Sequence, residues 1–173
     1  MNNRTKSILV LTLICLVVTA VLAATNLVTS PIIEENNATK VQNSLRSALP
    51  TADGFTAIDL PEGLPATVTG IYKADNGSGC AVTLKTRSQY SSDKMGLTVG
   101  IGADGKISGI VLTSYYESKD FGKETYPQSY VGRAQDDYTG VELVSGVTYS
   151  STAFKSAVGD AFAAYAQVKE AVQ

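Results

Sequence analysis

Between Ser7 and Ile33 the chain carries no charged side chain, and from Ile8 to Val28 it reads ILVLTLICLVVTAVLAATNLV. A helix crossing a bilayer needs about 20 largely apolar residues, and this run supplies them. A cleaved signal peptide has a shorter apolar core, about 7–15 residues. Length therefore favours a retained anchor, with the small residues of VLAAT leaving cleavage as the alternative. Arg4 and Lys6 precede the run and the first charges after it are Glu34 and Glu35. The positive-inside rule then leaves the N-terminus in the cytoplasm and everything after Pro31 outside.

The remainder of the 173 residues is long enough for one domain with its own core. It keeps all 16 acidic residues and 12 of the 14 basic ones, the other two being Arg4 and Lys6. So balanced a charge gives no basic face for nucleic acid and no attraction to anionic lipid. The chain has no histidine. That removes the commonest general base, the Ser-His and Cys-His nucleophile pairs and most zinc sites. Cys15 lies in the apolar run and Cys80 far away in a polar region, so the two read as apolar fillers rather than a disulfide.

The domain pattern is α+β. Ala38, Val41, Leu45 and Ala48/Leu49 recur at helical spacing and stop at Pro50, marking a juxtamembrane helix over 34–50 after a membrane segment over 1–33. Beyond a turn-rich connection lie strand-like runs, ATVTGIYKA, GCAVTLKT and LTVGIGADGKISGIVLTSYY. The last predicts a hairpin with Asp104-Gly105 as a two-residue turn. Residues 117–140 are polar and irregular, and Val141–Val144 is a short strand candidate. From Ser151 onward, Phe154, Val158, Ala161/Phe162, Tyr165 and Val168 share one helical face. Asn37 and Asn76 each open a short glycosylation pattern of low specificity.

Between that strand candidate and the last helix stands SGVTYSS, Ser145 to Ser151. A helix N-terminus offers unpaired N–H groups and the positive end of the helix dipole, which suit a phosphate. Gly146 lets the backbone turn sharply or approach a ligand closely. The simpler reading is that Ser150 or Ser151 caps the helix. Without histidine, Thr148 has no evident base of its own, so any reaction at its hydroxyl needs activation from elsewhere.

Ser145-Gly146-Val147-Thr148, followed by Ser150-Ser151 and a helix, resembles the flavinylation motif of the FMN-binding domain. That domain occurs in the G subunit of the Rnf complex and the C subunit of the sodium-translocating NADH:quinone reductase. NLVTSPIIEEN resembles the family's exit from its anchor, and LTVGIGADGKISGIVLTSYYES its central hairpin. ESKDFG, Glu117 to Gly122, is similar to a flavin-bordering loop usually reading Glu-Thr-Pro-Gly-Leu-Gly, and YVGR, Tyr130 to Arg133, to an aromatic-x-Gly-basic segment. The resemblance implies one transmembrane helix followed by one extracytoplasmic FMN-binding domain over 51–173, with antiparallel strands and a C-terminal helix. It implies FMN held covalently by a phosphoester on Thr148, installed by a flavin transferase from FAD with magnesium. Glu117, Ser118, Phe121 and Gly122 become the candidate ring contacts, and Phe121 reads equally as a core aromatic.

The sequence also departs from the family. Val147 stands where Ala is usual, and Glu142 stands where an Asp precedes the acceptor by six residues. Lys119 and Asp120 replace Pro and Gly in the flavin loop, and SSDKMGL replaces a glycine-rich segment before the hairpin. The implied role is an electron carrier in an Rnf-type assembly, between reduced ferredoxin and NAD, with other membrane subunits as partners. The alternatives are a free-standing extracytoplasmic flavoprotein and a flavin-free anchored scaffold.

Overall fold

A computed structural model describes residues 3–89, 94–116 and 122–172. It divides into two compact units, Met1–Val41 and Gln42–Gln173. Helix α1 is Asn3–Ala48, so the two helical segments expected on either side of Ile33 are one element. The part of it in the first unit is apolar and long enough to cross a membrane. Its Ile8, Leu9, Leu11, Leu13, Ile14 and Leu16 are all more than half exposed, which suits a lipid environment and not water. Thr12, Thr19, Thr25 and Thr29 each donate to the carbonyl four residues back, at 2.8–2.9 Å. Those bonds satisfy hydroxyls that hydrocarbon could not.

The second unit is a five-stranded antiparallel meander in the order β1-β2-β3-β4-β5. The strands are β1 Phe55–Ile58, β2 Val68–Ala74, β3 Gly79–Arg87, β4 Lys94–Gly102 and β5 Ile107–Ser114. Alternation sends Cys80, Val82 and Leu84 of β3, with Met95, Leu97, Val99 and Ile101 of β4, into the main core. Helix α2, Thr148–Val172, covers that face chiefly over β2 to β4. Its Phe154, Ala157, Val158, Ala161, Phe162, Tyr165 and Val168 are buried there, as the helical spacing predicts. Burying one side chain the size of Phe stabilises by about 1.5–3 kcal/mol.

The opposite face of β4 meets the last turns of α1, giving a helix–sheet–helix sandwich. Thr98 Oγ1 donates to Ser44 Oγ at 3.0 Å, and both residues are buried. A Cβ placed on Gly100 would lie 2.1 Å from the Ala48 carbonyl oxygen, and one on Gly109 2.9 Å from the same atom. Only residues without side chains let α1 lie this close to the sheet.

The hairpin expected at Asp104-Gly105 is present with a longer loop. Gly105 N donates to Gly102 O at 2.9 Å and Gly102 N to Lys106 O at 2.8 Å, so Ala103, Asp104 and Gly105 form a three-residue connection. A two-residue type I′ turn needs positive φ at both positions. Asp104 does not adopt it and Gly105 does, at +79°. Asn76 donates its side-chain amide to the Thr51 carbonyl at 2.7 Å and accepts from Ser78 N at 3.1 Å. It shapes the β2–β3 turn, and its nitrogen is engaged rather than free for a glycan.

Residues 122–140 hold more order than their polarity suggests. Two 3-10 turns, Pro127–Tyr130 and Tyr138–Gly140, lie within them. Tyr126 and Tyr130 are buried and pack with Phe154 at ring-centroid distances of 5.4–5.5 Å. Their hydroxyls share a hydrogen bond of 2.9 Å. Burial raises both phenols above their ordinary value, so both are neutral in the core. Gly132 N donates to Ile107 O and Ile107 N to Arg133 O, covering the start of the β5 edge.

Gly100→Ala is expected to lower unfolding stability by about 1–3 kcal/mol, read from urea midpoints, because the Ala48 carbonyl occupies the position of the added methyl. Cys80 is fully buried, and desolvation pushes its thiol from 9.0 up to about 12. In a Cys15→Ala protein at pH 8.5, iodoacetamide is expected to label Cys80 only after denaturation. The stability linked to this raised value is fully present below about pH 9 and lost toward pH 12.

Candidate functional site

The site is assembled at the start of α2. Val147 N donates to Val144 O at 3.2 Å, closing a four-residue turn over 144–147. Gly146 sits at its third position with φ of +82°, the place where a type II turn requires positive φ. Val144 and Val147 are half-buried and pack against the core, whereas Ser145, Gly146, Thr148 and Tyr149 are exposed. Two apolar residues therefore pin the turn, and Thr148 beside it is exposed. The larger side chain at 147, relative to the family's usual Ala, finds its contacts in the core.

Ser151 N donates to Val147 O at 3.1 Å, which opens the helical ladder and makes Val147 the N-cap residue. Valine has no side-chain oxygen with which to cap. The N–H groups of Thr148, Tyr149 and Ser150 thus have no intrahelical partner and no cap from residue 147. Ser150 and Ser151, the expected caps, are buried one turn inside the helix. Ser151 Oγ instead accepts from Val144 N at 3.3 Å, with the Val147 and Thr148 carbonyls at 3.1 and 3.2 Å as acceptors for its own proton. This hydroxyl stitches the turn to the helix.

Val141–Val144, expected as a strand, lies outside the sheet. Val141 is buried, Glu142 and Leu143 are exposed, and among the described residues no strand pairs with them. Lys155 of α2 holds this segment instead, donating from Nζ to Thr139 O at 2.5 Å and to Val141 O at 2.8 Å. Nothing in the local sequence marks Lys155, because the bonds link residues 14 and 16 positions apart.

A second feature lies along β5. A shallow cleft of about 450 Å³ is lined by Ile110 to Tyr115, Lys123, Glu124, Pro127 and Gln128. Lys123 Nζ stands 4.7 Å from the Tyr115 ring centre. Gly122 has φ of +83° and accepts from Thr125 N and Tyr126 N at 3.0 and 2.7 Å, so it starts the turn that brings Lys123 and Glu124 to the cleft. Glu117, Ser118 and Phe121 lie outside the described residues, as do Lys119 and Asp120. Ser145 to Ser151 lie together at the start of α2, Glu142 is exposed on the segment before them, and Gly122 directly precedes the cleft residues Lys123 and Glu124. The connection between the two regions runs through the aromatic cluster, in which Phe154 of α2 packs on the residues flanking Pro127 and Gln128.

The arrangement fits a tethered phosphate ester. It offers an exposed hydroxyl, uncapped helical N–H groups around it, a glycine turn without side-chain obstruction, and a cleft of a size usual for small-molecule sites.

Two family models match the chain. The FMN-binding domain matches residues 90–163, which contain β4, β5, the cleft and the Thr148 turn. The RnfG N-terminal region matches residues 1–47, within α1. No curated protein matches the sequence. The fold and these matches define a flavoprotein domain that binds FMN behind an N-terminal helix able to span a membrane. Together the two matches directly support an RnfG-type FMN-binding domain. The RnfG family implies a place in a multi-subunit Rnf complex.

Gly146→Ala is expected to destabilise the domain by about 1–2 kcal/mol, the usual penalty of a left-handed residue that carries a Cβ. Ser151→Ala is expected to cost about 1–3 kcal/mol, because it leaves the Val144 N–H unpaired in a half-buried place. Chemical denaturation of each variant checks both.

Proposed function

We propose that this protein is a membrane-anchored electron carrier whose FMN is bound covalently through a phosphoester to Thr148. The observation that carries the proposal is the exposed Thr148 hydroxyl at a helix N-terminus that its own N-cap residue leaves unsatisfied. The N–H groups of Thr148, Tyr149 and Ser150 would hold the phosphate, with Ser145 and Gly146 as its neighbours in the chain. The cleft beside β5 would take the ring, and the family resemblance implies Glu117, Ser118, Phe121 and Gly122 as its contacts. Bound FMN supplies one- and two-electron redox chemistry, which the chain tunes by packing and hydrogen bonding.

Attachment joins Thr148 Oγ to the flavin-side phosphorus of FAD. It breaks the pyrophosphate bond, releases AMP, and passes the hydroxyl proton to a base of the flavin transferase. The chain has no histidine to act as that base, which accords with a separate enzyme. The tether makes ring docking intramolecular, so occupancy does not depend on free flavin. In the complex, the carrier takes part in electron flow between reduced ferredoxin and NAD, coupled to ion translocation by partner subunits. The helix leaves its N-terminus in the cytoplasm and the flavin domain outside.

Co-expression with a flavin transferase is expected to give a fluorescent band on a denaturing gel, and Thr148→Ala is expected to abolish it. Fluorescence retained in Thr148→Ala would move the acceptor to Ser145, Ser150 or Ser151. A dark parent band, with the transferase shown active on another substrate, would overturn the covalent reading.

A further inference from the structure

We infer that Lys155 is a positioning residue for flavin attachment, fixing the segment that carries Glu142 relative to Thr148. The inference rests on the proposed flavinylation of Thr148. The acceptor and the motif carboxylate belong to different pieces of backbone. Thr148 is the first residue of α2, whereas Glu142 lies on an irregular segment that pairs with no strand. Such a segment is held by the bonds its carbonyls and N–H groups make and by the packing of Val141 and Val144 on the core.

Here it is tied at both ends to the helix that carries the acceptor. At its start, the Lys155 ammonium takes the carbonyls of Thr139 and Val141. At its end, Ser151 Oγ takes the Val144 N–H, and the Val144–Val147 bond closes the turn. Glu142 lies between these ties, one residue after the first and two before the second. Lys155 follows Thr148 by seven positions, about two helical turns, so it falls on the same side of α2. Bonds to an ammonium are the stronger kind. They set where the exposed Glu142 carboxylate stands while leaving it accessible to an external enzyme. Lys155 itself touches none of the reacting atoms.

The test is a double-mutant cycle on the full chain in detergent, with flavin transferase, FAD and magnesium. Parent, Lys155→Met, Glu142→Gln and the double variant are compared, with Lys155→Arg as the rescue. Folded fraction is set by circular dichroism at the assay temperature, and initial rates of covalent flavin incorporation give kcat and KM for the chain. Each single variant is expected to lower kcat roughly tenfold, the scale of one charged hydrogen bond. The double variant is expected to be no more than about twofold slower than the worse single, and Lys155→Arg to recover most of the loss. Independent effects that multiply in the double variant would overturn the inference, because coupling is the signature of one acting through the other. So would a parental rate in Lys155→Met or in Glu142→Gln. A parent that takes up no flavin would instead remove the covalent reading and this inference with it, whereas a flavinylated parent with an additive cycle removes the role of Lys155 alone.

Discussion

The apolar face of α2, laid along β2 to β4, is the contact from which the site follows. Phe154, Val158, Phe162 and Tyr165 are all under 10% exposed, so the helix can neither slide nor rotate without uncovering core. Once that face is fixed, the first turn must present Thr148 and Tyr149 outward and Ser150 and Ser151 inward. The Thr148 side chain is thereby oriented by hydrophobic packing that begins further along the helix.

The absence of a capping side chain acquires meaning in this setting. A Ser or Asp at position 147 would offer its oxygen to the same N–H groups that suit a phosphate. Val147 leaves those groups open and offsets the loss by packing its branched side chain on the core. The turn is then held by Gly146 and by the buried Ser151 hydroxyl, neither of which competes for the helix end.

Much of this was legible because it is local. The apolar run of α1, the periodic face of α2 and the β4–β5 hairpin each announce themselves within one short window, and the SGVT motif within four residues. What the sequence hid depends on distant partners. Val141–Val144 has the composition of a strand, yet its Val141 carbonyl goes to a lysine and the segment lies outside the sheet. Tyr126 and Tyr130 sit in a polar stretch with no periodicity, and their burial rests on partners from other elements such as Phe154. Gly100 and Gly109 read as interruptions in strands until the end of α1 is laid across them. The three-residue hairpin loop differs from the expected two-residue one because Asp104 keeps negative φ, a choice that the Asp-Gly pair alone does not reveal.

Cys80 is the sole cysteine of the second unit, and it lies under α2 as an uncharged thiol. A thiol in that state is a poor nucleophile and a poor partner for disulfide exchange. The domain therefore has no covalent cross-link to lose under reducing conditions and no exposed sulfur to oxidise in their absence. As far as its own sulfur is concerned, the folding free energy of the domain is decoupled from the redox poise around it.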